Sequence, residues 1–146
     1  MVKLLDPRRR DRRVIISAVR ALAELGDATA APALQRLLRM PDLDLPLLRE
    51  LVEALVAVRA HDSAELMIEL LTHPSPVLRG AALGGLARLD SELFLRTLSG
   101  LPPDPQWQVR ADLAASFVYV DPDVAAFRLT MLLEDEDRRV VPAVLR

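Results

Sequence analysis

Apolar positions along the chain recur at spacings of three and four, broken at intervals by Asp, Gly or Pro. Arg13, Val14, Ile15, Ala18, Val19, Leu22, Ala23 and Leu25 predict one amphipathic helix, ended by Gly26-Asp27. Asp27 caps a second helix, with Ala31, Leu34, Leu37 and Leu38 on one face and Gln35, Arg36 and Arg39 opposite. That antiparallel pair is the unit. A second unit opens with Asp44 as N-cap and Pro46 in the first turn, and turns Leu48, Leu51, Val52, Leu55, Val56 and Val58 inward. Its return helix is expected to start at Asp62, three residues before Glu65, a capping-box spacing. Ser75-Pro76 opens a third unit with Leu78, Ala81, Ala82, Leu86 and Leu89 inward and a return helix over about 91–100. Gly80, Gly84 and Gly85 weaken that first helix, so close helix approach is their expected reason. A fourth unit starts at Asp104-Pro105 and faces Val109, Leu113, Ala114, Phe117 and Val118 inward, with Trp107 expected against the preceding return helix. Asp121-Pro122 caps its return helix, which ends in Met131, Leu132 and Leu133.

The start of each unit carries the same short phrase: Val14-Ile15, Leu48-Arg49, Leu78-Arg79, Val109-Arg110 and Val140-Val141. The steps between them are 34, 30, 31 and 31 residues, the first lengthened by an insertion around Met40 to Leu45. A constant period of this length predicts an all-α solenoid of antiparallel helical hairpins. The units fall at 8–40, 44–72, 75–101 and 105–133, with a partial fifth at 135–146, in a single repeat domain spanning 1–146. Asp137-Arg138-Arg139-Val140 repeats Asp11-Arg12-Arg13-Val14. Met1 to Asp6, with Leu4-Leu5-Asp6 matching Leu132-Leu133-Glu134, reads as the last turn of a return helix. Neither end carries the polar cap of a finished solenoid. The chain is therefore expected to be a stretch of a longer array, or to have further repeats, a fused domain or a partner covering its ends.

Composition narrows the chemistry. Hydrophobic residues make up 51%, enough for a continuous core, yet aromatic residues are only 3%, little material for base stacking. A net charge of −2 argues against a chain-wide grip on nucleic acid. The absence of cysteine excludes disulfides, thiolate metal sites and a Cys nucleophile. Only Lys3 among the 19 basic residues is a lysine, a skew explained by GC-rich coding. No apolar run is long enough for a membrane span, and the apolar part of Met1 to Arg8 is too short to read as a secretory signal, so the expected default location is cytoplasmic.

The Asp-x-x-Val-Arg-like starts, the Ala-x-x-Ala-Leu cores and the Asp at each inter-helix turn resemble the HEAT-like repeat in its short bacterial form, as in phycobilisome-lyase-type arrays. The resemblance covers essentially the whole chain. It implies a right-handed α-α superhelix of about four units and a non-catalytic protein–protein scaffold or adaptor, with no cofactor. The alternative it implies is an accessory region of an enzyme, either a bilin-lyase-like subunit or the arm of a peptidyl-prolyl isomerase, to whose HEAT regions the ending from Asp137 is similar.

Recurrence decides how the candidate residues read. Arg49, Arg79 and Arg110 follow the apolar anchor of successive units, and Asp27, Asp90 and Asp121 stand at turns. A residue required in every unit serves the repeat, so these are expected to be structural, a ladder of Arg–Asp or Arg–carbonyl bonds between units. The run Arg8-Arg9-Arg10-Asp11-Arg12-Arg13 is read as a solvated turn and helix start, with nucleic acid the lesser reading. HEAT-like di-iron hydroxylases carry repeated His-Glu pairs. His61 and His73 are followed by Asp62 and Pro74 and do not make a metal site. Trp107 and Asp112 match, by residue type alone, the aromatic and carboxylate of HEAT-like DNA glycosylases, and packing is the better reading.

The partner surface is instead expected on the outward, concave side of the return helices: Gln35, Arg36 and Arg39; Glu65, Ile68 and Glu69; Arg96 and Thr97; Phe127, Arg128 and Thr130. Ile68 and Phe127 are large apolar residues where polar ones are expected, the mark of a contact surface.

Overall fold

The computed structural model describes residues 11–144. The expected turn at Met1–Asp6, the Arg8–Arg10 part of the basic run and the last residues of the fifth unit lie outside them. All regular structure in the described residues is helical, and the chain divides into two compact units between Ser63 and Ala64. The second sequence unit, 44–72, thus has its first helix in one compact unit and its return helix in the other.

In the first compact unit, α1 is Arg12–Leu25, α2 is Ala31–Leu38 and α3 is Leu45–Ala57. Asp11 starts α1 by accepting the Arg13 N–H at 2.7 Å. Gly26 ends it in the left-handed region (φ 62°), from which its N–H donates to the carbonyls of Leu22 and Ala23. The buried stripe is Ile15, Ala18, Val19 and Leu22, a strict i, i+3, i+4, i+7 set. Val14 and Leu25, expected on that face, stand exposed because they flank the stripe by about one residue's turn and by the last, frayed turn. Asp44 caps α3 by accepting the Leu47 N–H at 3.0 Å. Packed against both α1 and α2, α3 buries Leu47, Leu48, Leu51, Val52, Ala54, Leu55 and Val56. The chain then passes through a 3-10 turn, His61–Ser63, in place of the expected capping-box start at Asp62. Asp62 Oδ1 and the buried Ser63 Oγ each accept from Gln35 Nε2, at 3.0 and 2.8 Å.

The second compact unit holds α4 (Ala64–Leu70), α5 (Pro76–Leu89), α6 (Ser91–Ser99), α7 (Trp107–Ser116), α8 (Pro122–Leu132) and the short α9 (Val141–Val144). Helix α5 is central, with α4, α6 and α7 all against it. Its glycine at position 80 permits the approach of α7: a Cβ there would lie 1.9 Å from Asp112 Oδ2 and 2.8 Å from Asp112 Cγ. At Gly84 the nearest atom to such a Cβ is Ser116 Oγ at 3.8 Å, an ordinary contact. The core is Leu78, Ala82, Leu86 and Phe94, each fully buried, with Phe94 meeting Phe117 edge to face at 5.6 Å. Fully burying a Leu or Phe side chain stabilises by about 1.5–3 kcal/mol. Val118 lies in a 3-10 turn, Phe117–Tyr119, that ends α7, and is 76% exposed where an inward position is expected. The tighter turn swings it off the helical stripe. Val140 is fully buried, and α9 packs on α7.

Candidate partner-binding surface

The second compact unit carries two arginine clusters related by thirty-one residues. Arg79 holds Asp104 with two bonds, Nε to Oδ2 at 2.8 Å and Nη2 to Oδ1 at 3.1 Å, while Nη1 donates to the carbonyls of His73 and Pro74. Arg110 repeats this on Asp135, at 2.6 and 3.1 Å, with Nη1 on the carbonyls of Asp104 and Pro105. Asp104 is therefore shared: its carboxylate receives Arg79 and its carbonyl receives Arg110. These are bidentate, mostly shielded pairs, the stronger kind. The hydrogen bond that Arg110 donates to Asp135 raises its guanidinium pKa, and the bond to Asp104 does the same for Arg79. Burial pushes the Asp104 carboxyl up, but the bonds from Arg79 and the Gln106 N–H, with the charges of Arg79 and Arg110, bring it below its ordinary value. Asp135 is also lowered, chiefly by the Arg110 hydrogen bond.

Each carboxylate also closes a short turn, Asp104 accepting the Gln106 N–H at 2.9 Å and Asp135 the Asp137 N–H at 2.8 Å. His73 stands at the same place one period earlier, and its Nδ1 accepts the Ser75 N–H at 3.0 Å. Imidazole thus reproduces the turn but supplies no carboxylate for an arginine. Arg49 is exposed and makes none of these bonds among the described residues. Asp27, Asp90 and Asp121 each turn their carboxylate to the first turn of the helix or 3-10 turn they precede, accepting from Thr29, Leu93 and Asp123. Trp107 is half-buried, with the Arg139 guanidinium over its ring, 4.1 Å from the centroid. Asp137 grips Arg139 at 2.9 and 2.6 Å, and that hydrogen bond first, then the Arg139 N–H, takes the Asp137 carboxyl down to about 2.

Beside this ladder lies a cavity of about 220 Å³. Its walls are apolar, with Leu83 from α5, Leu98 from α6, Val109 and Leu113 from α7, Phe117, and Met131 from α8 among them. Arg79, Asp104 and Arg110 border it through the pairs above, and Arg128 borders it with no side-chain hydrogen bond or ion pair among the described residues. On the outer side of α8 an apolar row continues from the cavity: Val124, Phe127 and Met131, at i, i+3 and i+7, are 41%, 70% and 60% exposed. Only Ala125 of α8 is buried.

The expected surface residues separate in this structure. In the first compact unit, Gln35 is half-buried and bound to Asp62 and Ser63, while Arg36 and Arg39 are exposed. In the second, Glu65, Glu69 and Arg96 are exposed and Ile68 is half-buried. Thr97 and Thr130 turn their hydroxyls back onto the carbonyls of Leu93 and Ala126. Arg128 borders the cavity, and Phe127 stands in the exposed row on the same helix. Met131 and Val124, absent from the expected set, complete that row. Met131 is hidden in sequence by the Leu132-Leu133 ending it belongs to.

No group of three or more His, Asp or Glu among the described residues is placed to hold a metal ion, and no described helix is long and apolar enough to cross a membrane. A scan of the chain against protein-family models gives no match, and neither does a comparison with curated proteins.

Proposed function

We propose that the chain is a HEAT-like array of helical hairpins, wound as a right-handed superhelix, that acts as a protein–protein interaction scaffold without bond-making chemistry of its own. The thirty-one-residue recurrence of the Arg79 and Arg110 clusters supports the array, since the same atoms are used one unit apart. The observation that carries the function is the row Val124, Phe127 and Met131, left exposed on a helix that buries only Ala125. Isolated exposed apolar residues are ordinary, but a row of three on one helix face beside an apolar cavity is what a partner contact needs.

A photo-crosslinking residue placed at Phe127 tests this in cells, with Glu24, exposed on α1, as the control position. The expected result is a discrete protein adduct from position 127 and none from position 24. No adduct at 127, or the same adducts at both positions, would remove the scaffold reading.

A further inference from the structure

The cavity and the row on α8 adjoin, and both have chemistry that a partner must match. Arg79 and Arg110 are spent on Asp104, Asp135 and four carbonyls. Arg128 is the one cation at this cavity left without a counter-charge among the described residues. At about 220 Å³ the space exceeds the roughly 150 Å³ that holds a benzene ring. It falls below the roughly 300–1,000 Å³ usual for a small-molecule site. One leucine, methionine or phenylalanine side chain fits; a cofactor does not. A small ligand confined there would leave Val124 and Phe127 bare, whereas a peptide laid along α8 covers them.

We infer that this surface captures an acidic peptide segment of a partner protein, with one large apolar side chain seated in the cavity and a carboxylate of the same segment on Arg128. The inference rests on the scaffold reading and names the partner's chemistry. A guanidinium–carboxylate bond is charge-assisted, and a basic segment is repelled by the same charge. The arrangement selects by sign as well as by shape.

The test is fluorescence anisotropy of the full chain with short labelled peptides: one carrying a leucine-phenylalanine pair flanked by glutamates, the same with lysine flanks, and the glutamate peptide with alanines for the pair. The first is expected to bind and the other two to fail. Arg128→Gln should weaken binding about tenfold, the size of one lost charge-assisted bond. Leu98→Trp, which fills the cavity, should abolish it while circular dichroism shows helicity kept. Should that variant lose helicity, Arg128→Gln, at a half-exposed position, still decides. Equal binding of the lysine peptide, an unchanged affinity in Arg128→Gln, or no binding of the glutamate peptide would each overturn the proposal. So would saturable binding of decanoate in place of peptide, or self-association that Phe127→Ser removes with no peptide bound. A partner still crosslinked at position 127 in any of these cases would leave the scaffold reading standing.

Discussion

Within each compact unit the first helices of neighbouring repeats meet, α1 with α3 and α5 with α7, and the two contacts are fastened differently. Between α1 and α3 the polar links are at the rim: Arg20 to Glu50 at 2.7 Å, its arginine 63% exposed, and Arg12 to Asp44. Between α5 and α7 a glycine lets the backbones close in, and the flanking arginines are clamped in shielded pairs. Rim pairs are screened by water and add little, so α1 and α3 hold mainly by apolar burial. In the second compact unit polar geometry carries part of the stability. That unit can therefore leave an entire row of α8 unburied, while α2 in the first tucks Ala31, Leu34, Leu37 and Leu38 away.

The difference between the two contacts is largest at Arg110. Arg110→Ala strands Asp135 and two carbonyls and should cost about 3 kcal/mol. The loss would be read as a lower urea midpoint in Trp107 fluorescence, which reports on the second compact unit; a loss no larger than that of a rim arginine would erase the distinction. Gly80→Val comes next, at about 2 kcal/mol, because the new side chain meets Asp112 down to its Cγ. Asp112→Ala should recover part of that loss in a double-mutant cycle.

Acid is a gentler probe. Asp104, Asp135 and Asp137 all have folded values below the ordinary carboxylate value of about 3.9. Their contribution is present above that value and disappears as pH falls through the folded values, from about 4 toward about 2 for Asp137. Melting followed by Trp107 should hold steady from pH 7 to pH 5 and drop below pH 4, and Asp135→Asn should flatten the drop. The smallest effect belongs to Arg20→Ala, about 0.5 kcal/mol or less by circular dichroism, since its partner stays hydrated.

Helix positions were largely legible in the sequence because the 3.6-residue period and the caps at Asp44 and Asp121 are local signals. The recurrence of Arg79 and Arg110 was equally visible. Their joint use of Asp104 was not, because it depends on which carbonyls lie within reach of a guanidinium. Asp62 and Glu65 have capping-box spacing, but the distant Gln35 takes the carboxylate of Asp62, a tertiary override of a local rule. Ile68 and Phe127 looked alike as apolar residues on polar faces; packing half-covers one and leaves the other bare. The cavity had no sequence signal at all, since its walls come from segments dispersed between Leu71 and Leu132.

Asp104 has a thermodynamic consequence of its own. Because one residue receives both arginines, by carboxylate and by carbonyl, loosening either displaces the anchor of the other. Losses at Arg79 and Arg110 should then not sum independently, although thirty-one positions separate them in the chain. The residue acts as a coupling term between the Arg79 and Arg110 repeats, so that the two are expected to melt together.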